Sequence, residues 1–395
     1  MAEAQGSPSS TQGSPPSQTH GGAASSTIRV TAAVVREKGG PFTFEDLTLD
    51  TALRPDEVLV RVVASGLCQT DIHVRDQHLP TPLPAVLGHE GAGIVERVGD
   101  AVTMVTPGDR VVMSYQACGH CTPCLTGKPA YCARSFPANF GGSRLDGTNA
   151  LHAESVEVHG HFFGQSSFAT HALATERNVV RIDDEEIPLE LLGPLGCGLQ
   201  TGAGAVLNSL KVEAGSSVVV IGTGTVGLAA VMAAVVAGAS TVVAVDIVPE
   251  RLDLARELGA THTVNGKEED TAARIAEITG GGADYVLEIT ARPEMLTLAV
   301  DALAPLGTAA LIGGAPAGAH APVNMNALLG GRTVRGIAQG DSVPQLFIPQ
   351  LIDLYRAGRF PFDRLITFYG FDDINEAATD TQTGAAIKPV LRIGE

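Results

Sequence analysis

The chain has two parts that differ in their pattern of apolar and polar residues. From Ile28 to about Leu191, short β-rich runs such as TIRVTAAVV and EVLVRVVAS are separated by Gly, Pro and Asp, which is typical of a compact, mostly-β domain. From about Leu199, apolar runs such as SVVVIG and TVVAVD alternate with helical stretches. This alternation predicts a doubly wound parallel sheet. The predicted helices are Val226–Ala237, Pro249–Leu258, Thr271–Thr279 and Pro293–Leu303.

The two ends of the chain have patterns of their own. Residues 1–26 consist largely of Ser, Gly, Pro and Gln with almost no apolar side chains, so we expect a disordered tail, either a cloning remnant or a regulatory segment. After about Ile337, a helical stretch and the run IKPVLRI are expected to return to the first domain. The sequence therefore predicts an α/β protein with a mostly-β domain over 27–198 and 337–395 and a doubly wound domain over 199–336.

Composition and charge exclude several classes of protein. The 395 residues contain 26 Lys and Arg against 43 Asp and Glu, a formal net charge of −17. An acidic chain without a basic stripe is a poor nucleic-acid binder. The longest apolar run, Val226 to Val245, is interrupted by Gly, Ser and Thr and predicts no membrane span. No secretory signal is recognisable, so we expect a cytoplasmic protein with reduced cysteines.

Four of the six cysteines lie in one short segment, CGHCTPCLTGKPAYC, within a lobe over 114–133. The intervening Gly and Pro residues permit tight turns around a common centre. Four thiolates form the ligand set of a closed tetrahedral zinc site. Iron–sulfur clusters also use closely spaced cysteines, but the rest of the chain favours zinc. The ligands would be Cys118, Cys121, Cys124 and Cys132.

The two remaining cysteines, Cys68 and Cys197, form a second candidate metal site together with His89 of the segment GHEGAG. Two thiolates and one imidazole leave a fourth position open, which is the ligand count of a catalytic zinc site. Each residue alone says little, because a lone buried cysteine is usually a small hydrophobic residue. The neighbouring motifs favour a metal site for this set of residues.

A glycine-rich turn, GTGTVG, follows the strand SSVVVI and opens a helix, and Asp246 ends the next strand. This order predicts a dinucleotide site. The glycines let the backbone approach a pyrophosphate at the helix N-terminus. Asp246 would accept hydrogen bonds from the adenine-side ribose and repel a 2′-phosphate, which favours NAD over NADP. The predicted contacts are Gly222, Gly224, Thr225, Val226, Gly227 and Asp246.

Together these motifs resemble the zinc-dependent medium-chain alcohol dehydrogenases from about Ile28 to Ile393. The resemblance rests on GLCQTDIH, GHEGAGIVERVG, PGDRVV, the four-cysteine lobe and GTGTVG. Within the family, SYQACGHCTPC, FFGQSSFATHA and GPLGCGLQTGAGAV look most like aryl (benzyl) alcohol dehydrogenases. The resemblance implies a GroES-like catalytic domain, a Rossmann NAD-binding domain, two zinc ions per chain and NAD as cofactor.

The resemblance also assigns roles around the catalytic zinc. Its ligands would be Cys68, His89 and Cys197. Glu90 would lie behind the metal or ligate it transiently. Asp71 would accept the outer N–H of His89 and so fix the orientation of the ring.

A proton relay is part of the same resemblance. Thr70 would accept the alcohol proton and pass it, by way of the nicotinamide ribose, toward His73 at the solvent side. An ordinary surface histidine is the alternative for His73.

Three residues concern cofactor binding, and one of them departs from the family pattern. Gln69 stands where many members carry a basic residue against the pyrophosphate. Arg251 matches a basic residue near the adenosine ribose, although it could equally be a solvated helix charge. Lys388 stands about where the family often places a basic phosphate contact.

Substrate selection is expected to depend on the pocket beside the metal. Ser114 stands at a position that is bulky in several animal relatives, and its small side chain would leave room for an aromatic ring. Phe140 and Met325 are candidates for the apolar wall.

The sequence thus predicts reversible, NAD-dependent oxidation of a primary benzyl-type alcohol to the aldehyde by a homodimer or homotetramer. One alternative is the same chemistry on another alcohol, such as the hydroxymethyl adduct of a carrier thiol. A non-enzymatic zinc protein of this fold is the other alternative, although it would not need Thr70, His73 and the complete GTGTVG turn. No nucleic-acid or membrane partner is expected.

Overall fold

A computed structural model of the protein describes residues 26–153 and 157–394. The tail predicted over 1–26 therefore lies, apart from its last residue, outside the described residues. Within the described part, three β-sheets form the framework. No helix in this part is both long enough and apolar enough to cross a membrane.

The strands fall into three stretches of the chain. Those of the first stretch are β1 Thr27–Val35, β2 Phe42–Asp50, β3 Glu57–Gly66, β4 Ala85–Val86, β5 Glu90–Val98, β6 Arg110–Met113, β7 Leu151–His152, β8 His171–Thr175 and β9 Val179–Arg181. Those of the second are β10 Ser217–Ile221, β11 Thr241–Asp246, β12 His262–Asn265, β13 Ala283–Glu288, β14 Leu303–Leu311 and β15 Thr333–Gly336. The last two are β16 Ile366–Gly370 and β17 Lys388–Arg392.

The α-helices before β10 have at most seven residues, whereas those from α5 onward have nine to thirteen, apart from the four-residue α9. They are α1 Gln69–Arg75, α2 Thr122–Leu125, α3 Ser135–Phe140, α4 Gly198–Gly204, α5 Thr225–Ala237, α6 Pro249–Glu257, α7 Thr271–Thr279, α8 Pro293–Asp301, α9 Met325–Leu328, α10 Pro344–Arg356 and α11 Ile374–Thr383. The four helices predicted from the sequence match α5 to α8, with differences only at the ends.

Two sheets form the mostly-β part. The smaller has the order β4-β1-β2-β7, and the larger has the order β16-β17-β3-β5-β6-β9 with β8 also paired to β3. The last strand, β17, runs antiparallel to β3, with Val390 opposite Gly66. The C-terminal segment therefore completes the sheet that carries the first residues of the candidate site.

The third sheet is parallel and has the order β12-β11-β10-β13-β14-β15. The direction of winding reverses between β10 and β13, and ligands of such sheets bind in the crevice beyond the strand ends at this point. The GTGTVG turn follows β10 directly. The predicted fold class, a GroES-like mostly-β domain with a Rossmann doubly wound sheet, is thereby confirmed.

The turn between β10 and α5 depends on two of its glycines. Gly222 has a φ of +97°, a left-handed value that L-residues rarely adopt. A Cβ at Gly227 would lie 1.8 Å from the carbonyl oxygen of Gly222. Gly224 differs from both, because no heavy atom lies within 4 Å of the Cβ that it would carry. A side chain at Gly224 would therefore meet no steric obstacle.

We expect Gly227→Ala to lower the free energy of unfolding by about 1–3 kcal/mol, because an overpacked backbone contact must be relieved. Chemical denaturation of the variant and of the wild type would measure the difference. Gly224→Ala is the matched control and should unfold like the wild type. Equal stability of Gly227→Ala and the wild type would contradict the close approach.

Candidate active site and metal centres

The first group of candidate ligands meets where β3, β5 and α4 converge. Cys68 is the residue before α1, His89 immediately precedes β5, and Cys197 immediately precedes α4. Their ligand atoms, together with a carboxylate oxygen of Glu90, all lie within 4.8 Å of one another. The structure thus brings together the three residues that the resemblance assigns to the catalytic zinc, with Glu90 beside them.

His89 is fully buried, and its two ring nitrogens have different surroundings. Nδ1 lies 3.0 Å from Oδ1 of Asp71, which is also fully buried. Nε2 is buried and has no hydrogen-bond partner among the described residues. A buried nitrogen without a partner is costly, and a metal ion between the two thiols would satisfy it. The donor set of two sulfurs and one imidazole therefore fits zinc.

Asp71 is held by more than the imidazole. Its Oδ2 accepts a hydrogen bond from the backbone N–H of Cys68 at 2.9 Å, and its Oδ1 also accepts from Gly88 N–H at 3.1 Å. One carboxylate thus links the backbones at both ligand segments. When Nδ1 of His89 carries the proton that it shares with Asp71, Nε2 is left as the ligand atom.

Neighbouring groups stabilise negative charge at this centre. The hydrogen bond from Cys197 and the nearby ammonium of Lys388 hold the pKa of Cys68 well below its usual value, despite burial. Burial by itself would lower the pKa of His89, but the Asp71 carboxylate raises it well above the ordinary value. Burial raises the pKa of Glu90 to about 7, against the opposing charge of Lys388.

Lys388 differs from the expectation of a cofactor phosphate contact. It is 1% exposed, and its Nζ donates to both carboxylate oxygens of Glu90 at 2.9 and 2.8 Å and to the carbonyl of Leu67 at 3.3 Å. Three acceptors engage all three of its N–H groups. The lysine therefore belongs to the metal site, and its charge offsets that of a carboxylate rather than meeting a phosphate.

The two residues of the predicted relay lie along α1. Oγ1 of Thr70 is 3.8 Å from Sγ of Cys68, so its hydroxyl borders the metal site. His73 is half-buried on the same helix. Burial and the neighbouring His78 lower the pKa of His73. His73 is therefore neutral over a wider pH range than a free histidine.

The four-cysteine lobe forms a second compact cluster. The four thiol sulfurs lie within 4.8 Å of one another. Backbone N–H groups point at them: Ala133 donates to Cys121 at 3.4 Å, and Cys118 donates to Cys132 at 3.3 Å. The N–H groups of Ala133 and Cys124 lower the pKa of Cys121 to about 6. Such a set, closed to a fifth ligand, fits a structural zinc ion.

The crevice beyond β10 contains the other predicted cofactor residues. Asp246 is buried at the end of β11 and accepts hydrogen bonds from Thr223 N–H at 2.6 Å and from Ile247 N–H at 2.7 Å. Thr225 donates to the carbonyl of Ile387 at 2.9 Å. Val226 follows in the first turn of α5, where backbone N–H groups are available to an anion.

Two further cofactor candidates lie at the border of the crevice. Nε of Arg251 is buried without a partner in the described residues, and its Nη2 would be 2.9 Å from a Cβ at Gly384. Gln69 is exposed as the first residue of α1. Their contacts with a cofactor stay predictions.

Aromatic rings cover the metal site from one side. The ring of Phe163 lies against His89, with centroids 4.6 Å apart and planes at 31°. Phe140, predicted for the apolar wall, packs edge-on against Phe163 at 5.2 Å and against Phe162 at 5.9 Å. Phe136 stacks on Phe140 and is 54% exposed. An aromatic wall thus runs from the surface to a metal ligand.

Met325 differs from the sequence prediction, whereas the role of Ser114 stays a prediction. Met325 is 81% exposed at the start of α9, so within this chain it forms no wall. Ser114 is fully buried and donates to the carbonyl of Gly196 at 2.7 Å. Phe163 was missed by sequence reasoning, although the segment FFGQSSFATHA, which contains it, carried the subfamily resemblance. Both adjacent Phe residues, Phe162 and Phe163, contact the ring of His89, and spacing along the chain could not show this contact.

Comparison with known proteins agrees with this geometry. Residues 54–184 match the alcohol dehydrogenase GroES-like domain, and residues 225–356 match the zinc-binding dehydrogenase family. A geraniol dehydrogenase from Castellaniella defragrans is 48% identical over 92% of this chain and 98% of its own.

Two solved structures are similar over 93% of this chain and 100% of their own. One is an alcohol dehydrogenase zinc-binding domain protein from Burkholderia ambifaria, with 57% identity and a TM-score of 0.91. The second is the benzyl alcohol dehydrogenase from Acinetobacter calcoaceticus, with 51% identity and a TM-score of 0.90.

We expect Asp71→Asn to weaken zinc binding at the Cys68 site about 10- to 100-fold, because the neutral amide no longer fixes and polarises His89. Competition with a chromogenic chelator would measure the release. The matched control is Asp50→Asn, which removes an exposed carboxylate 2.9 Å from Nε2 of His152. Equal zinc release by the two variants would contradict the role of Asp71.

Proposed function

The chain belongs to the zinc-dependent medium-chain alcohol dehydrogenases, and we propose that it transfers hydride reversibly from a primary benzyl-type alcohol to NAD. The products would be the aldehyde and NADH. The observation that carries the proposal is the unpartnered Nε2 of buried His89, which faces two cysteine sulfurs beneath an aromatic wall. Two thiolates and one imidazole, with no third cysteine or second histidine in this group of described residues, suit a catalytic metal rather than a structural one.

The substrate class follows from the rings beside the metal site. Phe140 and Phe136 keep accessible ring surface on this aromatic wall, whereas Phe162 and Phe163 are buried. An aromatic pair gains about 0.5–1.5 kcal/mol beyond the burial of area. A flat, unsaturated group attached to the alcohol carbon would use these contacts, whereas ethanol would not. The similarity to the benzyl alcohol dehydrogenase supports this assignment.

A zinc ion, when bound, acts as a Lewis acid that makes the alcohol proton easier to remove. The residues of the chain then divide the remaining tasks. Asp71 keeps Nε2 of His89 available as a ligand atom. Thr70 would accept the alcohol proton, and His73 would carry it toward solvent. Glu90 and Lys388 form a neutral pair that limits the excess of buried negative charge.

The cofactor preference rests on Asp246. A buried carboxylate at the end of the second strand of a Rossmann unit accepts hydrogen bonds from the ribose hydroxyls and repels a 2′-phosphate. We therefore assign NAD to the crevice, with the first turn of α5 for the pyrophosphate. A second zinc ion in the four-cysteine lobe, a cytoplasmic location and a homodimer or homotetramer complete the proposal.

Allylic alcohols are a second candidate substrate class, because the geraniol dehydrogenase is 48% identical. Geraniol and benzyl alcohol both carry the hydroxymethyl group on an unsaturated carbon. A hydroxymethyl adduct of a carrier thiol lacks that feature and would gain less from the aromatic wall. A non-enzymatic role would leave the arrangement of Thr70 and His73 without a use.

The decisive experiment follows NADH formation with benzyl alcohol, geraniol and ethanol, each with NAD and with NADP, on protein of known zinc content. We expect fast turnover of benzyl alcohol with NAD, slow turnover of ethanol, and two zinc ions per chain. Faster turnover of geraniol than of benzyl alcohol would identify allylic alcohols as the substrate class. A requirement for an added thiol would support the adduct, and no turnover at full zinc content would refute the proposal.

Cofactor affinity provides a test of Gln69. We expect Gln69→Arg to lower the Kd for NADH by up to about fivefold, because an exposed charge contact contributes at most about 1 kcal/mol. Raised salt should reduce the gain. Fluorescence titration with NADH would measure both, and Gln69→Glu should shift the Kd in the opposite direction. A higher Kd for Gln69→Arg than for the wild type would refute the placement of the pyrophosphate.

A further inference from the structure

His78, in the loop after α1, lies against His73, the relay residue on α1. Nδ1 of His73 and Nδ1 of His78 are 3.4 Å apart, and the ring centroids are separated by 5.7 Å. His73 is half-buried, whereas His78 is exposed. One imidazole therefore lies on the protein side of the pair and the other on the solvent side.

Hydrogen bonds within the loop after α1 keep His78 next to His73. The backbone N–H of His78 donates to the carbonyl of His73 at 2.8 Å, so the chain folds back over the helix end. Gln77 has a φ of +55°, and its Nε2 donates to the carbonyls of Val74 and Thr81 at 3.0 Å each. These bonds fix the direction in which the side chain of His78 leaves the loop.

No unbalanced charge on α1 dominates the imidazole pair of His73 and His78. Arg75 is paired with Asp76 at 2.8 Å, so these two neighbouring charges offset one another. Asp76 and the thiol of Cys68 both raise the pKa of His73, but burial and His78 outweigh them. Behind α1, the core side chains of α11 are apolar, with Ile374, Ala377 and Ala378 in the same cluster as Ile72 and Val74.

We infer that His78 is the solvent-side outlet of the proton relay, taking the proton from His73 and releasing it to bulk water. The inference rests on the proposed function, in which His73 receives the alcohol proton. His78 touches neither substrate nor cofactor, and it acts through His73 as a positioning residue. It sets which nitrogen of His73 carries the proton and provides that proton with an exposed acceptor.

The transfer balances as a movement of one proton with no change of redox state. His73 becomes imidazolium when it gains the proton, and it then gives its Nδ1 proton to the unprotonated Nδ1 of His78. His78 becomes imidazolium in turn and loses its Nε2 proton to water or buffer. Both rings end neutral with exchanged tautomers, and proton exchange with water restores the starting state.

The test compares His78→Gln, His73→Gln and the double variant in zinc-loaded enzyme at low buffer concentration. We expect His78→Gln to slow alcohol oxidation roughly tenfold at neutral pH, less than the ~100-fold or more typical of a group that itself takes the proton. High concentrations of imidazole buffer should restore the rate, because a diffusible base replaces the outlet. The double variant should be no slower than His73→Gln, because both act on one path.

The control is His262→Gln, which removes an exposed histidine on β12 in the parallel sheet. It should leave the rate and its dependence on buffer unchanged. A wild-type rate for His78→Gln in weak buffer would overturn the inference. So would a slow rate that imidazole does not restore, or additive losses in the double variant, because a merely structural role predicts both. Wild-type turnover on the same substrates tests the proposed function separately.

Discussion

The burial of charge at one point of the larger, mostly antiparallel sheet of the β part is the constraint on which the rest of the site depends. Two cysteines, a histidine and Glu90 have their polar atoms within 4.8 Å of one another. Removing so many ionisable groups from water is expensive unless each is compensated. Asp71 compensates the imidazole through Nδ1, Lys388 compensates Glu90, and a metal ion would compensate the two sulfurs and Nε2 of His89.

This requirement explains why distant parts of the chain meet. Lys388 is the first residue of β17, and its partner Glu90 is the first residue of β5, 298 positions earlier. Because β17 pairs with β3, the C-terminal segment carries the compensating cation to the site. The hydrogen bond from Thr225 to Ile387 then ties α5, and with it the glycine-rich turn, to the same strand end. One strand thus connects the metal site with the coenzyme crevice.

The site has one side that is buried under aromatic rings and another side that leads to solvent. The aromatic rings of Phe162 and Phe163 pack against His89, which is fully buried, and Phe140 packs against both rings. Along α1 the chain passes from Thr70 at the metal site to His73 and then to exposed His78. In the proposed function, apolar contacts therefore serve the substrate, whereas polar contacts carry a proton away. A site with both properties can favour hydride transfer without losing access to solvent.

The sequence by itself determined the family, the fold class and two sets of candidate metal ligands, and the structure brings the ligand atoms of each set within 4.8 Å of one another. These depend on local patterns: alternation of strands and helices, cysteines a few residues apart, and glycines in a turn whose backbone cannot accommodate a side chain. Tertiary structure decided which charges and rings meet. Lys388 was expected at a phosphate but pairs with Glu90, Met325 was expected in the pocket but is exposed, and Phe163 was not singled out at all. Their partners come from other strands and loops, so the contacts are set by how the sheets and loops pack rather than by spacing along the chain.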